Sequence, residues 1–225
     1  MGEAVGNVLP LAVAVAVFPV PVIAAVLVLA SERGTSKGLA FVGAWCAGLA
    51  AVGAVALILG GVADGSEAGG PANWINVILL VLGLLLVVLA VKQWRGRPGA
   101  REEPEVPGWM RTIGELTPAR AAGVGFALTA LNPKNVLLTA AAAAEIAEAG
   151  LSPGRQGAVL FGFVLVASVG VLSPLVVTLA LRERSRPPLE RLRRWLAQNN
   201  AVIMAVLLLL IGAKLIGDAI SGFSA

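Results

Sequence analysis

Long apolar stretches alternate with short polar ones along the whole chain. A helix needs roughly 20 mostly apolar residues to cross a bilayer, and six stretches approach or exceed that length. They are residues 8–30, 39–61, 74–91, 121–144, 156–181 and 200–220. The pattern predicts an all-α membrane protein with six transmembrane helices.

The composition supports a membrane protein and excludes several other classes. Of 225 residues, 58% are hydrophobic and only 13% are charged, whereas a soluble domain carries about a quarter charged residues. Cys46 is the single cysteine, so no intrachain disulfide forms, and histidine is absent. The lack of histidine removes the commonest general base and metal ligand. We therefore expect no enzyme, no metal site and no cofactor, with the proton motive force as the candidate energy source.

The basic residues indicate how the chain is oriented. The first, third and fifth loops between the predicted spans hold all but three of the 17 lysines and arginines. Cytoplasmic loops of membrane proteins carry such an excess. We therefore predict a multi-pass plasma-membrane protein with both termini extracytoplasmic. Topology accounts for the basic charge, so no nucleic-acid partner is expected.

The order of the spans divides the chain into two halves. Residues 1–94 would form a first three-helix repeat and residues 121–225 a second. Residues 95–120 would form a cytoplasmic linker, with an interfacial helix over residues 109–116. An odd number of spans in each half forces the halves into opposite orientation, which is the inverted-repeat plan of many secondary transporters.

The first span of each half contains proline near its middle. Proline removes a backbone donor and breaks a helix, and paired broken helices are a sequence indicator of a transport site. We predict a substrate site between these two spans; the alternative is a pair of ordinary proline kinks. The predicted substrate-binding residues are Pro19, Pro21, Asn132, Pro133, Lys134, Asn135 and Thr139.

Three ionisable residues lie inside the predicted spans. Lys134 lies beside the break in the fourth span, where a charge costs about 2.5–3.5 kcal/mol. It would bind an anionic or polar headgroup or exchange a proton; alternatively, it caps carbonyls freed by Pro133. Lys214 and Asp218 are four residues apart, so they share a helix face. They form either an outer gate or an ordinary ion pair at the membrane boundary.

The six-span plan, the broken first span and the sequence Leu131-Asn132-Pro133-Lys134-Asn135 resemble a known family. It is the glycopeptidolipid-addressing (GAP) or sulfolipid-addressing family of the LysE exporter superfamily, and the composition is typical of a high-GC actinobacterium. The resemblance implies export of a cell-envelope lipid, glycolipid or lipid precursor across the plasma membrane. Other branches of the superfamily move metal ions through acidic motifs, which the first and fourth spans here lack.

Two other functions compete with lipid export. One is a LysE-like exporter of amino acids or other small solutes, and the other is an accessory subunit of a larger lipid-export system. An intramembrane enzyme is disfavoured by the missing histidines and membrane carboxylate pairs. The expected partners are membrane lipids, a lipid or polar small-molecule cargo, and either a second copy of the chain or a larger envelope exporter.

Overall fold

A computed structural model describes residues 1–65, 73–96 and 116–224 of the chain. The regular structure in these ranges is helical, which confirms the all-α prediction for the described residues. The helices are α1 (Gly2–Ala16), α2 (Pro19–Ala30), α3 (Gly34–Gly65), α4 (Asn73–Arg95), α5 (Pro118–Ala130), α6 (Pro133–Glu148), α7 (Pro153–Leu181) and α8 (Arg186–Ser224). A short 3-10 helix, Arg182–Ser185, joins α7 to α8.

Three described helices are long and apolar enough to cross a membrane. They contribute the stretches Gly34–Leu59, Pro153–Leu181 and Arg186–Phe223. The pair α1–α2, bent by 52°, is a fourth if it counts as one broken span. The two remaining predicted spans correspond to α4 and to the pair α5–α6. A multi-pass membrane protein is therefore compatible with the described helices, while the six-span arrangement stays a prediction.

The two helix breaks lie where the prolines predict them. Phe18, before Pro19, has φ −61° and ψ 118°, and Asn132, before Pro133, has φ −83° and ψ 114°. A residue that precedes proline is driven out of the helical region by a clash with the proline ring. Each proline then begins the next helix at a position where its missing N–H costs no helical hydrogen bond.

The described helices pack into two compact units, which we describe separately. One unit comprises Met1–Ser66 and Glu105–Ala197, and the other comprises Glu67–Pro104 and Gln198–Ala225. Each unit contains residues from both predicted repeats, 1–94 and 121–225, so the packing units do not coincide with the repeats. The predicted interfacial helix over residues 109–116 lies, apart from its last residue, outside the described residues.

Within the first unit, the two long helices pack on the broken pair from the opposite half. Helix α3 packs mainly on α5 and α6, while α7 packs on α1 and α2. Helices α3 and α7 also contact each other. The largest fully buried side chains in this core are those of Phe41, Trp45 and Leu49 on α3, with Leu11 and Ile146. The core therefore surrounds both helix breaks.

Candidate functional site

The break between α5 and α6 is closed by two asparagine side chains. Asn132 Oδ1 accepts a hydrogen bond from the backbone N–H of Lys134 at 3.1 Å, as an N-cap residue does. Asn135 Nδ2 donates to the carbonyl of Leu128 at 2.7 Å, across the break. The backbone N–H of Leu131, the residue that follows α5, donates to the carbonyl of Ala127. Asn135 thus supplies a donor to the next carbonyl, which the interrupted helix leaves open.

Two polar atoms beside this bridge are buried and have no hydrogen-bond partner among the residues that the structure describes. They are Asn135 Oδ1 and Thr139 Oγ1, on residues that are each 0% exposed. Both residues lie on the buried face of α6, one turn apart. Trp45 Nε1, on the neighbouring α3, is a third such atom. Because buried polar groups are nearly always paired in folded proteins, these atoms mark where a polar group of a ligand, or water, can bind.

Lys134 occupies a different side of α6 from Asn135 and Thr139. It is half-buried, and Leu137 on the next turn is 38% exposed. Its ammonium forms no hydrogen bond or ion pair to a residue that the structure describes. The structure therefore divides the predicted polar patch between a buried face and a partly exposed one, and the role of Lys134 stays a prediction.

The break between α1 and α2 has no amide side chain at the matching positions. Pro19 and Pro21 are both buried. Neither has an N–H to donate, so the carbonyl of Val17 loses its helical donor, whereas the carbonyl of Val15 accepts from the Phe18 N–H at 3.4 Å. This break therefore differs from the one before Pro133, where side chains supply the polar atoms.

Each break also packs against a glycine of a long helix. A Cβ built on Gly170 of α7 would lie 1.8 Å from the carbonyl oxygen of Ala16, in the last residue of α1. A Cβ built on Gly48 of α3 would lie 1.9 Å from Thr129 Oγ1, near the end of α5. Only glycine permits approaches this close. The long helices thus fix the last turn before each break.

Helices α3 and α7 cross in antiparallel directions. Cys46 Sγ and Ser168 Oγ are 3.3 Å apart at the crossing. On one side of it Gly38 contacts Leu175, and on the other Gly53 contacts Leu160. Rising residue numbers on α3 therefore match falling ones on α7.

In the second unit, α4 and the end of α8 also meet at two glycines. A Cβ on Gly83 would lie 2.9 Å from the carbonyl oxygen of Gly212, and a Cβ on Gly212 would lie 2.8 Å from that of Gly83. Lys214 Nζ donates to Asp218 Oδ2 at 2.8 Å, and their side chains are 31% and 42% exposed. The ion pair is present, and its use as a gate stays a prediction.

The comparison with protein families identifies the chain. A family model described as Sap, sulfolipid-1-addressing protein, matches residues 8–221. The chain belongs to this family. No curated protein and no solved structure is similar enough to the chain to count as a match.

Membership of the sulfolipid-1-addressing family confirms the resemblance found in the sequence and indicates a lipid-related membrane role. The matched range includes both helix breaks and all the predicted site residues. Sequence reasoning missed Trp45, although an indole N–H inside an apolar stretch is a usable signal. Among the described residues, no three His, Cys, Asp or Glu side chains come together as a metal site would require.

Proposed function

We propose that this member of the sulfolipid-1-addressing family is a secondary transporter that exports a cell-envelope lipid, glycolipid or lipid precursor. The observation that carries the proposal is the pair of helix breaks, because beside one of them the buried atoms Asn135 Oδ1 and Thr139 Oγ1 have no hydrogen-bond partner among the described residues. In a structural kink, neighbouring groups satisfy the freed polar atoms. Here two side-chain atoms remain available, so the break is suited to bind a polar part of the cargo.

The proposal includes six transmembrane helices in two inverted repeats, with both termini extracytoplasmic. A two-fold axis between α3 and α7 would bring equivalent residues together where it passes. Cys46 and Ser168, 122 positions apart, meet in this way. The same separation of 122 positions relates Gly38 to Leu160 and Gly53 to Leu175. The contact between Gly38 and Leu175 is therefore equivalent to the contact between Leu160 and Gly53, and both contacts occur. Reciprocal pairs of this kind are expected from a repeat.

Two further reciprocal contacts support the repeat. Gly48 and Gly170 share the offset of Cys46 and Ser168, and each packs against the last turn before the break in the opposite half. In the second unit, Gly83 on α4 and Gly212 on α8 each approach the other's carbonyl. The third helix of each half would therefore be equivalent as well.

An apolar groove beside the break favours a lipid over a small solute. The groove has a volume of about 390 Å³. Its lining is Ala51, Val52, Val55, Ala56, Leu59, Ala130, Val136 and Ala140. A lipid chain can occupy such a groove without losing hydrogen bonds, whereas a small polar solute would lose its hydration there without compensation. An accessory role in a larger exporter differs in one measurable respect, because an accessory subunit would not move lipid alone.

The test is a pair of matched threonine variants of the full chain in liposomes. Thr139→Val removes a buried hydroxyl with no partner, so we expect the fold to be kept and lipid movement to fall at least about tenfold. Thr129→Val removes a buried hydroxyl that already donates to Phe126 at 2.8 Å. It should leave transport near normal and reduce stability by about 1 kcal/mol.

The measurement is movement of fluorescent phosphatidylglycerol and fluorescent sulfatide between leaflets, beside the melting temperature. Movement by the wild-type chain alone would support a transporter, and movement of neither lipid would favour the accessory role. Equal transport by Thr139→Val and the wild type would remove the break from the transport site.

A further inference from the structure

A cavity of about 720 Å³ lies where α2 meets α3 and where α7 meets α8. Its volume is in the range of ligand sites, roughly 300–1,000 Å³. It is lined by Val26, Leu29, Ala30, Ser31, Thr35, Thr178, Leu179, Arg182, Ser185, Arg186, Leu189 and Glu190. All these residues belong to the first packing unit. The wall is amphipathic: one part is aliphatic and the other carries guanidinium and hydroxyl groups.

The charges around the cavity favour an anion. Arg182 and Arg186 line it, and among the side chains that the structure describes the one lining carboxylate, that of Glu190, is paired with Arg193. Arg193 Nε donates to Glu190 Oε2 at 2.9 Å, and a second guanidinium N–H donates to Oε1. Because the carboxylate is compensated outside the cavity, the two lining arginines keep their attraction for a bound anion.

A buried lysine fixes one of the hydroxyl groups that line the cavity. Lys37 is only 7% exposed, and its Nζ donates at 3.1 Å to Ser31 Oγ, which lines the cavity. Ser31 in turn donates to the carbonyl of Val28 at 2.7 Å. The serine, a hydroxyl donor of the cavity wall, is thus held in place between α2 and Lys37.

The backbone at Arg182 is unusual for an arginine. Its φ is 49° and its ψ is −121°, a conformation that favours glycine. When a residue other than glycine adopts such a conformation, its side chain is a candidate for a functional role. Since Arg182 ends α7 at the edge of the cavity, the guanidinium is the feature that glycine would lack.

We propose that this cavity binds an anionic lipid by its sulfate or phosphate headgroup, with the chain along Val26, Leu29 and Leu179. Arginine forms paired hydrogen bonds to such groups, which makes Arg182 and Arg186 the headgroup ligands. As an entry site for cargo, the cavity rests on the proposed export function. Binding of an anionic lipid does not depend on that function.

The repeat relation gives the cavity a counterpart with a different chemistry. The offset that joins Cys46 to Ser168 relates Thr178, in the cavity, to Ala56, in the apolar groove beside α3. The two sites would therefore be equivalent positions near opposite ends of the helices. Only the one beside the arginine-rich loops has charged lining residues.

The test measures lipid binding to the full chain by native mass spectrometry from detergent. Phosphatidylglycerol, sulfatide and zwitterionic phosphatidylcholine are the probes, with inorganic sulfate and phosphate as competitors. Arg182→Gly and Arg186→Gln remove the two ligands, and Arg191→Gln is the control because Arg191 is exposed and lies outside the cavity lining. Arg182→Gly also suits the backbone at that position, so the variant should fold at least as well as the wild type.

We expect both anionic lipids to bind more tightly than phosphatidylcholine, and each cavity variant to lose about fivefold in affinity. The control should change by less than about twofold. Equal affinity for phosphatidylcholine, equal losses in all three variants, or full displacement by millimolar inorganic sulfate would overturn an anionic-lipid site. The lipid movement assay tests export separately. Binding without movement would reject the export function and keep the anionic-lipid site, whereas movement without binding would support export and reject this site.

Discussion

Cys46 on α3 and Ser168 on α7 face each other with Sγ and Oγ 3.3 Å apart. They are the equivalent residues of the two proposed repeats, and they meet where the repeat axis would pass. Gly48 and Gly170 follow them by two residues, and each contacts the opposite half. Small side chains at these positions let α3 and α7 approach closely, as they do between membrane helices generally.

Ser168→Cys should therefore form a disulfide with Cys46 under mild oxidation. The two atoms are close enough for a sulfur–sulfur bond after a small movement. After denaturation, the variant should bind two maleimide–polyethylene glycol groups before oxidation and none after it. Ser173→Cys is the control, because it lies more than a helical turn farther along α7, and it should keep both thiols. Two free thiols in oxidised Ser168→Cys would contradict the crossing of α3 and α7.

Both helix breaks could be predicted because proline acts locally. Pro19 and Pro133 exclude helical geometry from the residue before them whatever the tertiary structure is. The partner of Asn135 could not be predicted in the same way, because its bond to Leu128 depends on how α6 bends relative to α5. Residue types and spacing put Lys134 at the centre of the polar patch, and only packing shows that Thr139 is buried and Lys134 partly exposed.

The cavity lined by Arg182 and Arg186 could not be predicted from the sequence either. Arginine clusters at membrane surfaces are common, so the charge of the fifth loop indicates the topology but does not locate a cavity. Two facts about folding create the site: Arg182 adopts a left-handed φ, and Arg193 pairs with Glu190. Neither residue type signals this in advance, since arginine has no preference for positive φ and charged neighbours often remain solvated.

Gly170→Ala should destabilise the protein, whereas Gly162→Ala should not. A methyl group at Gly170 would collide with the carbonyl of Ala16, while the same group at Gly162 meets no atom within 4 Å. Overpacking of this kind costs about 1–3 kcal/mol, and an unhindered alanine gains up to about 1 kcal/mol in a helix. Thermal unfolding in detergent measures both. Similar melting temperatures for the two variants would show that α1 and α7 are not in close contact.

Glu190→Gln should strengthen the binding of anionic lipid. The hydrogen bond and charge of Arg193 hold the pKa of the Glu190 carboxyl below its ordinary value, so it is ionised at neutral pH. The stabilisation of the fold by the Glu190–Arg193 pair is complete above the ordinary pKa of a carboxyl group. It is lost only as the pH falls through the lowered pKa of Glu190 in the folded protein. Wild-type affinity should thus not vary through this group between about pH 6 and pH 8.

The substitution removes one negative charge from the cavity and releases Arg193, so affinity for phosphatidylglycerol should rise about two- to fivefold. Glu3→Gln makes the same change of charge near the N-terminus, far along the sequence from the arginine-rich loop, and should have no effect. Native mass spectrometry compares the two variants. A fall in affinity for Glu190→Gln would show that the carboxylate organises the site rather than opposing the anion.

Lys134→Ala should abolish lipid movement while leaving the protein folded and inserted. The ammonium lies beside the break and bonds to no described residue, so its removal breaks no recorded contact and relieves the cost of a charge in the membrane, about 2.5–3.5 kcal/mol. Lys134→Arg should also fail if the lysine releases a proton, because arginine stays charged.

Lys92→Ala, at the exposed end of α4, is the control. The leaflet-movement assay is read beside expression and melting temperature. Normal movement by Lys134→Ala would exclude the lysine from the site, and a large loss of stability would assign it to capping the broken helix.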